Sequence, residues 1–221
     1  MPDDQTEFPL DLADMVSWVE AHTVAGDRVL EIGTGDGAIV DALSTRYDVL
    51  GVDPGAQTRP RVLATSFEEL DAEPFDAVFA SVSLHHLHDL DVAAAALRRL
   101  TRPGSVILVR EFDRTRLEEH EPTLRWWWHQ RSARIIGEGG EPDPYDEFVE
   151  QWRRHMAEHV HPWAPVEAML RAAAFEPTEV HDTAYLFRWG LTEDVRPMED
   201  RLISAGGIRA VGVRWAGLRR R

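Results

Sequence analysis

The residues best suited to hold a ligand form a glycine-rich segment, Val29-Leu-Glu-Ile-Gly-Thr-Gly-Asp-Gly37. A buried strand that runs into closely spaced glycines lets the backbone turn tightly and approach a ligand at the start of the next helix. Gly33, Gly35 and Ala38 also satisfy the looser pattern of dinucleotide-binding loops. The glycines alone therefore leave two classes of ligand open.

Two carboxylates in this segment distinguish between those ligands. Glu31 lies two residues before Gly33, and Asp36 lies inside the loop. A pyrophosphate at a helix N-terminus prefers bare N–H groups, and here it would meet negative charge. The pattern favours a cationic ligand, such as one with an ammonium and a sulfonium group. A dinucleotide in the same loop, as in an NAD(P)-dependent oxidoreductase, is the alternative.

A third carboxylate, Asp53, ends the strand-like run Val49-Leu-Gly-Val-Asp53. A carboxylate at the end of the second strand can accept hydrogen bonds from both hydroxyls of a ribose. An aspartate at a strand end is by itself more often a turn former. Its position one strand after the glycine loop favours the binding function.

Histidines follow the fourth predicted strand, at the edge where α/β sheets bind ligands. His85 and His86 are the candidate catalytic bases, because imidazole accepts protons at neutral pH. A structural or cofactor-flanking histidine is the alternative for either.

Arg110 and Glu111 end the fifth strand and could orient a polar acceptor, or form an internal ion pair. No Asp and His set has persuasive metal-ligand spacing, so we expect no metal.

Three consecutive tryptophans, Trp126-Trp-Trp128, lie on a predicted helix. Successive helical residues are about 100° apart, so the three rings cannot share one face. For any one of these tryptophans taken alone, packing between helices is a sufficient explanation of its presence. Collectively, aromatic side chains of this region could shape the pocket of a small acceptor. The candidate substrate-binding residues here are Trp126, Trp127, His129, Tyr145 and Trp152.

The elements that position these residues alternate between β-branched runs and helical stretches, which predicts a parallel sheet covered by helices. We expect strands at 28–32, 48–52, 61–64, 75–80 and 105–112, with helices at 10–22, 38–46 and 91–100 and a short capped helix from Ser66. Beyond Asp113 the pattern predicts helices at 123–136, 145–159 and 165–174. Strand-like pieces follow at 178–189 and 210–215, with a helix between them.

Composition narrows the function classes. The chain of 221 residues has 24 basic and 39 acidic side chains, a net charge of -15, which opposes binding to nucleic acid. It contains no cysteine and no lysine, which excludes thiol nucleophiles, disulfides and Schiff-base chemistry. We find neither a signal-peptide core nor a membrane-spanning run, and we expect a cytoplasmic protein without a membrane partner. The oligomeric state is open.

The set of motifs resembles the class I S-adenosylmethionine-dependent methyltransferases of the small-molecule branch. The resemblance runs from about Val29 to Phe112 and resumes near Glu167. It rests on Glu31 to Gly37, Asp53, the segment Ser66–Leu70, Phe75-Asp-Ala-Val-Phe79, Leu84-His-His-Leu87 and Arg102-Pro-Gly104. Two features depart from the family pattern. Ser66 stands where an aspartate is common, and a proline-rich stretch after Asp53 replaces a helix.

The resemblance implies a Rossmann-like, doubly wound, mostly parallel seven-stranded α/β sheet with an inserted helical lid. It implies S-adenosyl-L-methionine as cofactor, with Glu31 near its amino group and Asp53 on the ribose. The implied cofactor-binding residues are Glu31, Gly33, Thr34, Gly35, Gly37, Asp53, Pro54, Ser66, Phe67, Ser81 and Val82. We expect residues 1–113 and 166–221 to form the cofactor domain and residues 114–165 to form a cap with the acceptor pocket.

The predicted function is therefore methyl transfer from S-adenosylmethionine to an oxygen or nitrogen of a small-molecule acceptor. The alternatives are the NAD(P)-dependent oxidoreductase and a non-catalytic protein that binds S-adenosylmethionine.

Overall fold

A computed structural model describes residues 9–221, so the first eight residues of the predicted cofactor domain lie outside the described part of the chain. Seven strands form one sheet in the order β3-β2-β1-β4-β5-β7-β6. They are β1 (Arg28–Ile32), β2 (Asp48–Val52), β3 (Val62–Leu63), β4 (Phe75–Ser81), β5 (Thr101–Phe112), β6 (Phe175–Thr183) and β7 (Gly212–Arg219). The sheet is mostly parallel and seven-stranded, as the resemblance implied, and it contains one antiparallel hairpin.

The parallel half of the sheet places the functional segments at one edge. β1 pairs with β2 and β4 in register, so that Leu30 lies opposite both Leu50 and Val78. Val29 and Leu30 are fully buried, as expected for strands covered on both faces. Because all carboxyl ends of parallel strands point the same way, the residues after β1, β2, β4 and β5 meet at one edge of the sheet.

The helices follow the predicted pattern with shifted boundaries. They are α1 (Pro9–His22), α2 (Ala38–Leu43), α3 (Leu90–Leu100), α4 (Arg114–Glu118), α5 (Glu121–Gly137), α6 (Tyr145–His159), α7 (Trp163–Ala172) and α8 (Arg196–Ser204). Asp89 caps α3 by accepting from the backbone N–H groups of Asp91 and Val92 at 2.9 and 3.0 Å. None of the helices in the described part combines the length and the apolar character of a bilayer-spanning segment.

The short helix predicted from Ser66 is wrong, because the segment is a turn. Phe67 and Leu70 both point into the core and are buried. Arg99 donates to the carbonyl oxygen of Glu68 at 2.9 Å and also to that of Leu70. These carbonyls are therefore satisfied by a side chain rather than by a helix.

Several predicted boundaries were also inaccurate. The strand expected at 178–189 starts at Phe175 and ends at Thr183, and Leu186–Arg188 form a short 3-10 helix instead. The third strand is limited to Val62–Leu63, and α4 was not predicted. Asp113 caps α4 by accepting from the backbone N–H of Thr115 at 3.1 Å. This side-chain bond supports a five-residue helix whose hydrophobic pattern is too short to read.

The described residues divide into two compact units. The sheet unit comprises 9–111, 163–181 and 214–221, and the helical unit comprises 112–162 and 182–213. The helical unit thus includes 182–213, which the sequence had assigned to the cofactor domain. Two hydrogen bonds tie that segment to the inserted helices: Asp113 N–H to the Val211 carbonyl at 2.8 Å, and Arg209 N–H to the Thr123 hydroxyl at 2.8 Å. The functional roles of the two predicted domains stay predictions.

Candidate active site

The glycine loop after β1 uses left-handed backbone at all three of its glycines. The φ angles of Gly33, Gly35 and Gly37 are 74°, 54° and 81°. A Cβ on Gly33 would lie 2.2 Å from the Cβ of Ser83, and one on Gly37 would lie 2.2 Å from a guanidinium nitrogen of Arg59. A Cβ on Gly35 would meet nothing within 4 Å. The loop is therefore packed on two sides and open at its middle glycine.

Glu31 is buried beneath this loop and is held by Thr34. The Thr34 hydroxyl donates to the Glu31 carboxylate at 2.8 Å, and both residues are buried. The loop is closed by Gly33 N–H, which donates to the Val52 carbonyl at 2.8 Å, and by Gly37 N–H, which donates to Thr34 at 2.8 Å. The sequence thus places a buried carboxyl group directly under the turn.

Asp53 links the end of β2 to the same loop. One carboxylate oxygen accepts from Gly35 N–H at 3.0 Å, and the other accepts from Gly55 N–H at 2.7 Å. The side chain is half-buried, and each carboxylate oxygen can accept a second hydrogen bond. Pro54, beside it, is exposed. Asp53 can therefore hold the loop and a pair of ligand hydroxyls at the same time.

Arg59 closes the outer side of the loop, and the sequence reasoning missed it. Its guanidinium donates to the carbonyl oxygens of Asp36 and Gly37 at 3.0 and 3.2 Å and to both carboxylate oxygens of Asp41 at 2.9 and 3.0 Å. The hydrogen bond with Asp41 raises the pKa of Arg59. No motif marks this residue, because it lies in the irregular proline-containing stretch that replaces a helix.

The end of β4 is tied to both neighbouring strands. Val82 has a φ of 55°, a strained value for a β-branched residue, and its N–H donates to the Arg110 carbonyl at 2.7 Å. The Ser83 hydroxyl donates to the Ile32 carbonyl at 2.8 Å. The Arg110 guanidinium donates to the Ser81 hydroxyl at 3.1 and 2.6 Å. Ser83 thus joins the end of β4 to the glycine loop, while Ser81 and Val82 contact Arg110 at the end of β5; their predicted place beside the methionine part of the cofactor stays a prediction.

Glu111 is an internal partner of His85, one of the two alternatives left open by the sequence. One Glu111 oxygen accepts from the backbone N–H groups of Leu84 and His85 at 2.8 and 3.3 Å. The other lies 2.8 Å from His85 Nδ1. The two side chains are 1% and 2% exposed. An ionised Glu111 only accepts, so this contact then requires a proton on His85 Nδ1.

His86 differs from His85 in its exposure. The two rings lie 4.0 Å apart between centroids, but the His86 side chain is exposed.

Ser66 is half-buried and Phe67 is 2% exposed, at the turn that precedes β4. The structure thus brings the candidate cofactor residues and both histidines to one edge of the sheet unit. Within residues 9–221, no group of three or more His, Asp or Glu side chains is arranged to hold a metal ion.

The helical unit has an aromatic core of its own. Trp127 is buried, and its ring lies 5.1 Å from Phe148, 6.0 Å from Trp152 and 5.4 Å from Trp189. Its indole N–H donates to the Trp189 carbonyl at 3.1 Å. Trp189 was missed because nothing local marks it. Trp127 and Trp152, predicted to line an acceptor pocket, are core residues of this unit, whereas Trp126 is half-exposed.

Tyr145 lies in a second, exposed cluster of the helical unit. Its hydroxyl donates to Glu121 at 2.7 Å, and the Arg125 guanidinium lies 4.2 Å above its ring. Burial and the hydrogen bond with Glu121 raise the pKa of Tyr145 to about 12. His129 is exposed and lies 4.8 Å from the ring of Trp128. Tyr145 and His129 thus share Trp128 as a ring neighbour rather than Trp127.

A buried carboxylate in the helical unit was also missed. Glu199 is fully buried and accepts from the backbone N–H groups of Tyr185, Leu186 and Phe187 at 2.8, 2.9 and 2.9 Å. Burial raises the pKa of Glu199 despite these three bonds. They fix the segment that carries Trp189, which gives Glu199 a structural role.

A glycine loop after β1 and a carboxylate at the end of β2, on a sheet of this order, define a Rossmann-like nucleoside-binding domain. The family model described as "Methyltransferase domain" matches residues 9–163, well over half of the chain. The chain belongs to this family. The resemblance to class I S-adenosylmethionine-dependent methyltransferases is confirmed, and the protein is an enzyme. These findings support a methyltransferase over the oxidoreductase and the non-catalytic binding protein.

Solved structures show the same fold at low sequence identity. The YcgJ protein of Bacillus subtilis is 17% identical, with a TM-score of 0.53 over 97% of this chain and 100% of that one. A geranyl diphosphate C-methyltransferase of Streptomyces coelicolor, solved with S-adenosyl-L-homocysteine, is 14% identical, with a TM-score of 0.58 over 94% and 80%. A possible histamine N-methyltransferase of Thermotoga maritima is 17% identical, with a TM-score of 0.57 over 95% and 89%. Such neighbours are consistent with S-adenosylmethionine as the cofactor.

Proposed function

We propose that this enzyme transfers the methyl group of S-adenosylmethionine to an oxygen or nitrogen of a small-molecule acceptor, in the cytoplasm. The observation that carries the proposal is the loop of Gly33 to Gly37, which lies above the buried Glu31 and beside Asp53. That edge joins an open backbone turn to two carboxylates. It suits a ligand that is both a nucleoside and a cation.

The residues present fit this cofactor. When bound, S-adenosylmethionine supplies an electrophilic methyl group on a sulfonium. Asp53 keeps one free acceptor position on each oxygen, which matches the two hydroxyls of a ribose. The open space at Gly35 lets a ligand approach the backbone closely. Ser66 and Phe67 are assigned to the adenine, and Ser81 and Val82 to the methionine part, by the family pattern.

Two observations support a small-molecule acceptor: the net charge of the chain and the substrates named for solved structures of the same fold. The net charge of -15 opposes nucleic acid as a substrate. One solved neighbour, from Burkholderia thailandensis, is a 1,6-didemethyltoxoflavin-N1-methyltransferase, and another acts on geranyl diphosphate at carbon. These names do not show whether the acceptor of the present enzyme is methylated on oxygen, nitrogen or carbon. The choice of oxygen or nitrogen depends on the exposed imidazole beside the loop.

We assign the role of general base to His86 and a positioning role to His85. His86 is exposed, whereas His85 is buried and bonded to Glu111. Because the two rings lie 4.0 Å apart, the Glu111–His85 pair fixes the turn that carries His86. In-line methyl transfer depends mainly on holding nucleophile and sulfonium collinear, and a base adds a further factor of about 10². The substrate roles of Trp126, His129 and Tyr145 stay part of the proposal.

The experiment that tests the proposal is a screen of phenols, amines and carboxylates with S-adenosylmethionine, read by mass spectrometry as one added methylene unit. We expect a product with the methyl on oxygen or nitrogen. His86→Ala should lower kcat about 10²-fold for a hydroxyl acceptor and leave cofactor affinity unchanged. The matched control is His88→Ala, an exposed histidine of the same segment. Methylation at carbon alone contradicts the oxygen or nitrogen acceptor. Unchanged turnover in His86→Ala contradicts the role of His86 as general base.

A further inference from the structure

The helical unit contains a guanidinium that is stacked on its aromatic core. Arg131 lies on α5, and its guanidinium carbon is 5.3 Å from the ring centroid of Trp127 and 5.6 Å from that of Phe148. One of its nitrogens donates to the Trp189 carbonyl at 3.3 Å. The side chain is half-buried. Its position is therefore fixed by two rings and one backbone carbonyl.

Gly190 makes room for this guanidinium. A Cβ at Gly190 would lie 2.4 Å from an Arg131 nitrogen, and the φ angle of Gly190 is 67°. Glu199 fixes the preceding turn through three backbone N–H groups. Two separate features of the segment 185–190 thus serve to hold Arg131 in place. An arginine that only keeps a helix surface soluble would need neither the space at Gly190 nor the turn fixed by Glu199.

Arg131 makes no close ion pair with a carboxylate within residues 9–221, although Asp143 is near enough to act on its charge. Two other arginines of α5 each pair with a glutamate four residues away: Arg125 with Glu121 at 2.6 Å and Arg134 with Glu138 at 2.8 Å. No described carboxylate lies within ion-pair distance of Arg131. Its pKa is lowered, first by burial and then by the nearby charge of Arg134, while the carboxylate of Asp143 acts in the opposite direction. A half-buried cation in this state gains stability from an anion.

The donors of Arg131 and its aromatic neighbours indicate which anion fits. A guanidinium has five N–H donors in a planar fork that matches a carboxylate, and the Trp189 carbonyl uses one of them. Trp128 is half-exposed and lies three residues before Arg131, on the neighbouring surface of the helix. The exposed part of that indole gives an apolar surface for a ring, next to the neighbouring rings of His129 and Tyr145. The net charge of -15 favours a monoanion over a dianionic phosphate.

We propose that Arg131 is the anchor of a binding site for a small aromatic carboxylate, whose carboxylate it holds with its free N–H donors beside Trp128. The identification of that molecule with the methyl acceptor rests on the proposed function. The anion-binding site itself does not.

The test is a titration with three probes that share a phenyl ring: benzoate, benzamide and phenyl phosphate. Binding is measured by calorimetry and by tryptophan fluorescence. We expect benzoate to bind at least about tenfold more tightly than the neutral benzamide, and more tightly than phenyl phosphate, because one such contact corresponds to about 1.4 kcal/mol or more. Equal affinities for benzoate and benzamide would overturn the proposal that Arg131 forms an anion-binding site. A higher affinity for phenyl phosphate than for benzoate would overturn the proposed preference for a carboxylate.

Variants locate the site. Arg131→Gln should weaken benzoate at least about tenfold, while Arg131→Lys should retain part of the affinity, because it keeps the charge without the planar fork. Arg125→Gln, on the same helix, is the matched control and should bind benzoate like the wild type. Unchanged affinity in Arg131→Gln overturns the proposal. If Arg131→Gln fails to fold, a wild-type affinity in Arg131→Lys overturns it instead.

The two proposals fail separately. Binding of S-adenosylhomocysteine with no binding of benzoate overturns the carboxylate site and leaves the proposed function standing. Binding of benzoate with no binding of S-adenosylhomocysteine overturns the proposed function and supports the site.

Discussion

Replacing Glu111 with glutamine tests how the turn after β4 is held. In the wild type, one Glu111 oxygen accepts from the backbone N–H groups of Leu84 and His85, and the other lies 2.8 Å from His85 Nδ1. Glutamine keeps the shape and one acceptor oxygen but presents an NH₂ group to the imidazole. An NH₂ group cannot accept the Nδ1 proton, so His85 must carry its proton on Nε2 or lose the contact.

The size of the effect follows from the burial of both partners. A hydrogen bond to a charged group is worth about 1.5–3 kcal/mol, and a buried polar group left without a partner costs about 1–3 kcal/mol. Because Glu111→Gln retains part of the bonding, we expect a loss of about 3 kcal/mol in the free energy of unfolding. For a chain of 150–250 residues about 1 kcal/mol shifts Tm by roughly 2–4 °C, so Tm should fall by about 6–12 °C.

The assay is thermal denaturation together with ¹⁵N-detected NMR of the histidine rings, which reports which nitrogen of His85 is protonated. We expect the proton to move from Nδ1 to Nε2 in Glu111→Gln. Glu179→Gln is the matched control, because Glu179 contacts His22 at 3.3 Å on the surface, where a pair is worth about 0–1 kcal/mol. A Tm within about 2 °C of the wild type, or an unchanged His85 tautomer, would refute the reasoning.

Two further predictions concern the glycine loop and the exposed cluster. Gly33→Ala should lower Tm more than Gly35→Ala: both carry a positive φ, but only the first brings a Cβ to 2.2 Å from Ser83, and equal effects in thermal denaturation would contradict this packing. Tyr145 should titrate near its raised pKa of about 12, as followed by ultraviolet absorbance with Tyr145→Phe as the reference. Its contribution to stability is then complete below the unfolded pKa of about 10 and lost as the pH rises through about 12. Glu121→Gln should lower that pKa, and an unchanged titration would contradict the assigned bond.

The sheet and the glycine loop could be predicted because their signals are local. Buried parallel strands are continuous apolar runs, so β1 and β2 were predicted with their observed boundaries. Positive φ angles favour glycine where the chain turns sharply, which made Gly33 to Gly37 visible as a site. Asp53 was found from its place one strand later.

The contacts that failed to show in the sequence are long-range. Trp189 reaches Trp127 across 62 positions, and Glu199 fixes it from a third element. The segment from Ser66 has the spacing of a capped helix, yet Arg99 satisfies its carbonyls and holds it as a turn. Spacing within one segment contains no information about such partners, so the internal structure of the helical unit could not be predicted from it.

The measurement that tests the central claim most directly is calorimetric titration with S-adenosylhomocysteine of the wild type, Asp53→Ala and Asp48→Ala. The last is a control at the other end of β2. Two lost hydrogen bonds to a charged carboxylate should weaken binding at least about tenfold in Asp53→Ala, whereas Asp48→Ala should match the wild type. NAD⁺ should show no binding. Equal affinities in all three proteins, or binding of NAD⁺ in place of S-adenosylhomocysteine, would contradict the assignment of this loop.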